Sequence, residues 1–281
     1  MFRHYGGQDE EWYAVPGLTV AQSGIPRVPY APSRRLDSCF YKVDEALLAL
    51  PPAYFYWQAP FFWALPAGYG TARLASAVAG MIAVGLVYLL GRRLAGRELI
   101  GLFAAGLYSF SRVLYFPAIT ARPDILCGML GLAALWLTAC WQSNGRRRTL
   151  AAAGAALGLG MLTHPFAIVN CLQVGVWVLL GRRGAGLKQR LQHFALLVGC
   201  ALAAFSLWAP LILTHTELFR VQFFNNVLNR SGPGLLWRLL VPWESLAYHA
   251  EMLLEHAQAI QLSLMAGGLL AATALAWRRG Q

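Results

Sequence analysis

Charge is scarce in this sequence. Asp, Glu, Lys and Arg make up 12% of its 281 residues, about half the share a water-soluble domain carries. That shortage excludes an ordinary soluble surface. The 58% of residues that are hydrophobic need an apolar solvent, and a lipid bilayer supplies one. Acid is scarcer than base, 12 Asp and Glu against 23 Lys and Arg. Cysteine patterns are missing as well. Four of the five cysteines, Cys127, Cys140, Cys171 and Cys200, lie inside apolar runs, Cys39 stands alone in a loop, and no CxxC or Cys/His spacing occurs. This excludes a disulfide framework and a structural zinc site, and leaves the thiols as small buried hydrophobes. No glycine-rich phosphate loop, no Ser-His-Asp signature and no cleavable signal peptide at Met1 can be found. The net charge of +11 would suit a nucleic-acid surface. The basic residues, however, punctuate the ends of apolar segments instead of forming one stripe, so no nucleic-acid partner is expected.

What the sequence has is apolar length. About 20 apolar residues in a helix cross a bilayer core of about 30 Å. Stretches of that order run over 74–91, 99–121 (interrupted only by Arg112), 125–145, 194–214 and 257–277. A further stretch, 149–181, would be about 50 Å long as one helix, too long for a single span. It carries Thr163-His164-Pro165 near its middle, and proline breaks or kinks a helix, so it divides into two helices with a turn at His164. The expected fold is all-α, a polytopic transmembrane bundle of about seven spans with outer-face loops and short juxtamembrane helices.

Orientation follows from the basic residues, which accumulate in cytoplasmic loops. If the side after residue 91 is inside, alternation places Arg92, Arg93, Arg97, residues 146–148, Arg182, Arg183, Lys188, Arg190, Arg278 and Arg279 inside, 12 of the 23 basic residues, while 11 of the 12 acids fall outside. The agreement depends on dividing 149–181. The aromatic segment 51–69, broken by Pro60 and Pro66, would invert every later loop if it spanned. It is expected as a re-entrant or interfacial element whose Tyr, Trp and Phe suit the headgroup zone. The resulting organisation is an outer loop over 1–73, a membrane core over 74–214, an outer loop over 215–256, and a last span with a basic tail over 257–281. Residues 1–52 have no span of their own to carry them outside, which a preceding helix would repair.

The outer side gathers the candidate chemistry. Asp9 and Glu10 sit beside Trp12 and Tyr13, and Asp124 opens a membrane helix. An aspartate in the first turn is favoured by the helix dipole alone, and Asp9 alone reads as a solvated loop charge. The functional reading sets against these a converging carboxylate pair, in which one acts as general base and the other assists or binds a metal, a convergence that spacing alone does not show. Arg73, Arg112 and Arg122 fall near the outer boundary. Snorkelling to the headgroups explains Arg112, whereas Arg73 and Arg122 are equally read as phosphate ligands. His164 falls at an outer turn, where a hydrogen-bonded structural role is the commoner one.

In order, these residues form a pattern: Asp9-Glu10 with Tyr13, Pro51-Pro52-Ala53-Tyr54-Phe55-Tyr56, Ala72-Arg73-Leu74, Tyr88 with Arg92-Arg93-Leu94, Ala121-Arg122-Pro123-Asp124, Thr163-His164-Pro165, and His215-Thr216-Glu217. The pattern, over roughly residues 8–230, resembles the bacterial membrane glycosyltransferases of the GT-C class, in particular the protein mannosyltransferases and the aminoarabinose transferases acting on lipid A. The resemblance implies a multi-pass enzyme of the bacterial plasma membrane. Such an enzyme passes a sugar from a polyprenyl-phosphate carrier to a hydroxyl on a lipid, glycan or protein acceptor, at the periplasmic or extracellular side. It maps the catalytic acids onto Asp9 and Asp124, and substrate contacts onto Glu10, Tyr13, Arg73, Arg122 and His164. A divalent cation, if one is used, would fall to Asp9 and Asp124. Such families carry a helix before the first motif and more helices after the last. Relatives often place Lys or His before the proline pair, where this chain has Leu50. A single displacement from the lipid phosphate inverts the anomeric centre, by analogy with inverting glycosidases. Two other classes compete: a transporter of a lipid-linked substrate, which would place its ionisable groups near the bilayer midplane, and a truncated, non-catalytic relative.

Overall fold

The computed structural model describes residues 9–30, 32–180 and 186–226, with scattered positions after 226. The chain divides into two compact units, Met1–Val227 and Leu228–Gln281, and every element named below lies in the first. Most of the expected last span at 257–277, the arginines at 182–183 and 278–279, and most of 227–256 lie outside the described residues. Among the described residues the regular structure is helical, with one isolated bridge between Ser33 and Tyr41.

Two helices cover one end of the unit: α1 (Glu11–Ser23) and α2 (Ala53–Ala64). With 12 residues, Pro60 among them, α2 is about 18 Å long, too short to cross a bilayer. It buries Tyr54, Phe55, Gln58 and Ala59 on one face and packs that face against α1. The longer run of helices follows: α3 (Tyr69–Ala95), α4 (Glu98–Ser109), α5 (Arg112–Ile119), α6 (Pro123–Asn144), α7 (Arg147–Met161), α8 (Ala167–Leu180) and α9 (Leu187–Phe205). A 3-10 turn at Ser206–Trp208 joins α9 to α10 (Ala209–Thr214), and α11 (Thr216–Phe224) ends the described unit. Among the described residues three helices are long and apolar enough to cross a membrane, Tyr69–Ala95, Pro123–Asn144 and Leu187–Thr214, and the bent pair Glu98–Ser109 and Arg112–Ile119 would make a fourth span if taken together.

Three details refine the sequence reading. The stretch 99–121 is not one rod. It is α4 and α5, bent by 58° at Phe110-Ser111, because the Ser111 hydroxyl caps a new helix by accepting from the Leu114 amide at 3.3 Å, a serine-driven break. The third span starts at Leu187, ahead of the expected 194, and takes Lys188 and Arg190 into its first turn. Residues 149–181 do divide, and the helices on either side of the Thr163-His164-Pro165 turn have 15 and 14 residues.

The helices run up and down between two chemically different ends. At one end, Arg93 Nη2 donates to Ser143 Oγ at 2.8 Å, so the close of α3 and the close of α6 lie together. Both helices stop at a left-handed glycine, Gly96 (φ 68°) and Gly145 (φ 67°), a backbone state glycine adopts without strain. Arginines follow each. At the other end, Asp9, Glu10, Arg73, Arg122, Asp124 and His164 come together.

Helix packing relies on small residues. Gly154 and Gly158 of α7 face the Leu197 and Ala201 carbonyls of α9 so closely that a Cβ at either position would collide with backbone. In lipid, where burial gives little drive between helices, such close approach is what holds them. Gly158→Val is expected to push the pair apart and lower stability by about 1–3 kcal/mol, read as an earlier midpoint in SDS-induced unfolding. An unmoved midpoint would show that the contact is not tight.

The loop between α1 and α2 is fastened by a residue far along the chain. Gln222 on α11 is fully buried. Its amide oxygen accepts from the Leu48 and Ala49 amides at 2.6 and 3.0 Å, and its amide nitrogen donates to the Tyr41 and Ala46 carbonyls at 2.7 and 2.8 Å. All four hydrogen bonds an amide can make are thereby used, and the strand of chain leading into Pro51-Pro52 is held in place.

Candidate functional site

The site is built from the start of α1, the loop between α5 and α6, and the turn between α7 and α8. Glu10 stands at the head of α1, and its carboxylate receives Arg73 Nε at 2.8 Å and Arg73 Nη2 at 2.6 Å, a two-pronged pair whose side chains are only 4% and 3% exposed. The same carboxylate accepts the Ala121 amide at 2.8 Å. Glu10 therefore ties three segments together: α1, α3, and the residue just before Arg122. Sequence reasoning offered Glu10 and Arg73 as substrate contacts, but here they are closed to solvent and bonded to each other.

Arg122 is placed by that anchor. Its Nε donates to Asp124 Oδ2 at 2.7 Å and its Nη1 to Asp9 Oδ2 at 3.2 Å. With guanidinium C–N bonds of about 1.3 Å, the carboxylates of Asp9 and Asp124 lie on the order of 8 Å apart or closer. The side chain of Asp9 is 55% exposed and that of Asp124 28%, so Asp9 is the more open of the two. Pro123 at the first position of α6 and Asp124 in its first turn suit a helix start, where a missing N–H costs nothing and negative charge is favoured.

His164 completes the cluster. Its Nδ1 accepts the Phe166 amide at 3.3 Å, which leaves the proton of a neutral ring on Nε2. That nitrogen lies 3.8 Å from Asp124 Oδ1, too far for a hydrogen bond. Burial holds the His164 pKa below its ordinary value and Arg122 adds to this, while Asp124 opposes both. The unfolded chain therefore takes up a proton at higher pH than the folded one. Stability from this group is full above the unfolded value, near 6.5, and falls as pH drops below it toward the lower folded value. His164→Gln is expected to flatten the pH dependence of the melting temperature in that window, and an unchanged slope would contradict the assignment.

Two hollows flank the site. A narrow crevice is lined by Tyr13, Leu50, Pro51, Tyr54, Pro123 and His164. A larger cavity of about 470 Å³ is lined by Pro52, Tyr56, Trp57, Leu126, Met129 and Trp208, among other apolar groups. Pro51 belongs to the first and Pro52 to the second, so the proline pair separates the polar site from an apolar chamber. No sequence signal marked that chamber, since its walls come from α2, α6, α7 and the turn before α10. Among the described residues no group of three His, Cys, Asp or Glu side chains is arranged to hold a metal ion. A guanidinium stands between Asp9 and Asp124, where a bridging cation would need to be, so these residues as arranged do not fit a metal.

The fold has a solved counterpart. The fold is similar to that of the crystal structure of ArnT from Cupriavidus metallidurans in the apo state, with a TM-score of 0.59 and 24% sequence identity over 79% of this chain and 40% of that one. It is similar also to the same protein bound to undecaprenyl phosphate, with a TM-score of 0.54 and 23% identity over the same shares. The chain thus spans 40% of the length of the solved protein it matches. No curated protein matches the sequence. Residues 50–209 match the family model of the dolichyl-phosphate-mannose-protein mannosyltransferases. That segment runs from the residue before the proline pair into the last turns of the third long span and takes in more than half of the chain, which therefore belongs to this family.

Proposed function

We propose that the chain forms the donor-binding and catalytic part of an inverting membrane glycosyltransferase. It would take a sugar from a polyprenyl-phosphate carrier and pass it to an acceptor hydroxyl at the outer face of a bacterial plasma membrane. The observation that carries this reading is the Arg122 guanidinium held between Asp9 and Asp124, beside a proline pair that opens on its other side into an apolar cavity. A solved structure of similar fold holds undecaprenyl phosphate, which supports a carrier lipid of that kind here.

In this reading the carrier tail lies in the apolar cavity and its phosphate turns past Pro52 toward Arg122. With Nε and Nη1 engaged, Nη2 of Arg122 makes no hydrogen bond among the described residues and is available to a phosphate oxygen. The acceptor hydroxyl gives its proton to Asp9 as its oxygen attacks the anomeric carbon from the opposite side. The bond from that carbon to the phosphate oxygen breaks, its electron pair stays on the phosphate, and Arg122 meets the charge. The products are the glycosylated acceptor with inverted configuration and the free polyprenyl phosphate. Asp9 then returns its proton to water. Asp124 holds Arg122 in register, Tyr13 and His164 line the narrow crevice beside the reacting groups, and Glu10 with Arg73 positions the whole. Arg122 supplies the positive charge that a metal would otherwise bring.

The test is transfer by the full-length protein in liposomes, with a polyprenyl-phosphate sugar labelled in the sugar. Movement of label from lipid to an acceptor hydroxyl, with inversion at the anomeric carbon, is the expected result. Retention of configuration would overturn the single-displacement scheme.

A further inference from the structure

The opposite end of the unit holds a second polar hollow that the proposed reaction does not use. A cavity of about 410 Å³ is lined by Leu89, Arg92, Arg93, Gly96, Glu98 and Trp136. Its walls are the last turn of α3, the first turn of α4 and the inner half of α6. Two guanidinium groups and one carboxylate leave it net positive. Arg93 is anchored by its hydrogen bond to Ser143 Oγ at 2.8 Å, and an arginine has five N–H donors, so most of its fork remains usable. Arg92 meets Glu98 at 3.4 Å, with side chains 52% and 68% exposed. An exposed pair of this kind is worth little and yields readily to a better anion.

The walls indicate which anion. A soluble ion has no use for Leu89 and Trp136, whereas a lipid does. Leu94 and Leu99, next in sequence to lining residues Arg93 and Glu98, leave 63% and 76% of their surface uncovered. Arginines at the end of an apolar span mark the headgroup level, Trp136 stands eight residues before the end of α6, about 12 Å further in along the helix where acyl chains run, and basic pockets between membrane helices bind acidic headgroups. We propose that this cavity binds the phosphodiester of an anionic phospholipid between Arg92 and Arg93, with the acyl chains laid along Leu89, Leu94 and Leu99.

Native mass spectrometry of the full-length protein in detergent, titrated with phosphatidylglycerol, phosphatidylcholine or inorganic phosphate, tests the proposal. Phosphatidylglycerol is expected to bind on the order of tenfold more tightly than phosphatidylcholine. The Arg92→Gln/Arg93→Gln variant should lose about that factor, from roughly one contact's worth of attraction per arginine. Arg147→Gln/Arg148→Gln, which removes as much charge from the same end outside the cavity, should leave binding within about twofold. Glu98→Gln, which frees Arg92, should strengthen it severalfold. This last variant keeps the test alive if the double arginine variant fails to fold. Equal binding by the Arg92/Arg93 variant, equal loss in both double variants, or no gain with Glu98→Gln would overturn the site. Displacement of phosphatidylglycerol by millimolar inorganic phosphate would overturn its assignment to a lipid.

Discussion

Glu10→Ala is expected to lower stability by about 3–5 kcal/mol, the cost of leaving a buried arginine without its counter-charge. The Glu10–Arg73 pair is closed to solvent, and its two contacts of 2.8 and 2.6 Å have the geometry of a fork gripping a carboxylate. Removing one partner strands the other in a low-dielectric surround. Removing both need not be harmful: Glu10→Leu with Arg73→Met should recover much of the loss, since an apolar pair of similar volume is often as stable as a buried ion pair. Unfolding midpoints of the two single variants and the double would show this non-additivity. Additive losses would mean that the pair is not a unit. The double variant separates stability from positioning as well. Without the Glu10 carboxylate the Ala121 amide loses its 2.8 Å partner, and Arg122, the next residue, loses its placement. The restored protein should therefore remain poor in transfer.

Asp9→Asn and Asp124→Asn should each cut the rate of sugar transfer by about 10²–10⁴-fold, the range ascribed to a positioned general base. They should do so for different reasons. Asparagine at the exposed Asp9 position keeps the shape but cannot take a proton, so the loss should appear in turnover while donor affinity stays near that of the parent protein. Asp124 makes the shorter contact to Arg122, 2.7 Å against 3.2 Å. Its replacement should loosen the guanidinium, weakening donor binding as well as turnover. Single-turnover rates and donor titrations distinguish the two. Parental rates in both variants would remove the carboxylates from the reaction.

How much of this could be read from the sequence depends on distance along the chain. Helix existence was legible because apolar length and arginine punctuation are local signals. The turn at Thr163-His164-Pro165 was legible because proline and charge alternation agreed on it. The bend at Phe110-Ser111 was not, since serine caps and apolar continuation give the same composition. Glu10 and Arg73 are 63 residues apart and Gln222 is 174 from Leu48. No pattern within one sequence reveals such a pairing, so the sequence leaves Arg73 open between snorkelling and a phosphate contact, while the fold sets it against the buried Glu10. Asp9, Arg122 and Asp124 were each identified as candidates. That Arg122 bridges the two acids, 113 residues from one and two from the other, is information only the fold contains. The apolar cavity was invisible for the same reason.

The most direct test of the account is a structure of the full-length protein with a bound, non-transferable polyprenyl-phosphate sugar analogue. The account predicts the phosphate within hydrogen-bond distance of Arg122, the lipid tail in the cavity lined by Pro52, Trp57 and Trp208, and the Asp9 carboxylate on the face of the anomeric carbon opposite the phosphate. A phosphate bound elsewhere, with the Asp9–Arg122–Asp124 bridge intact and turned away from the sugar, would contradict it.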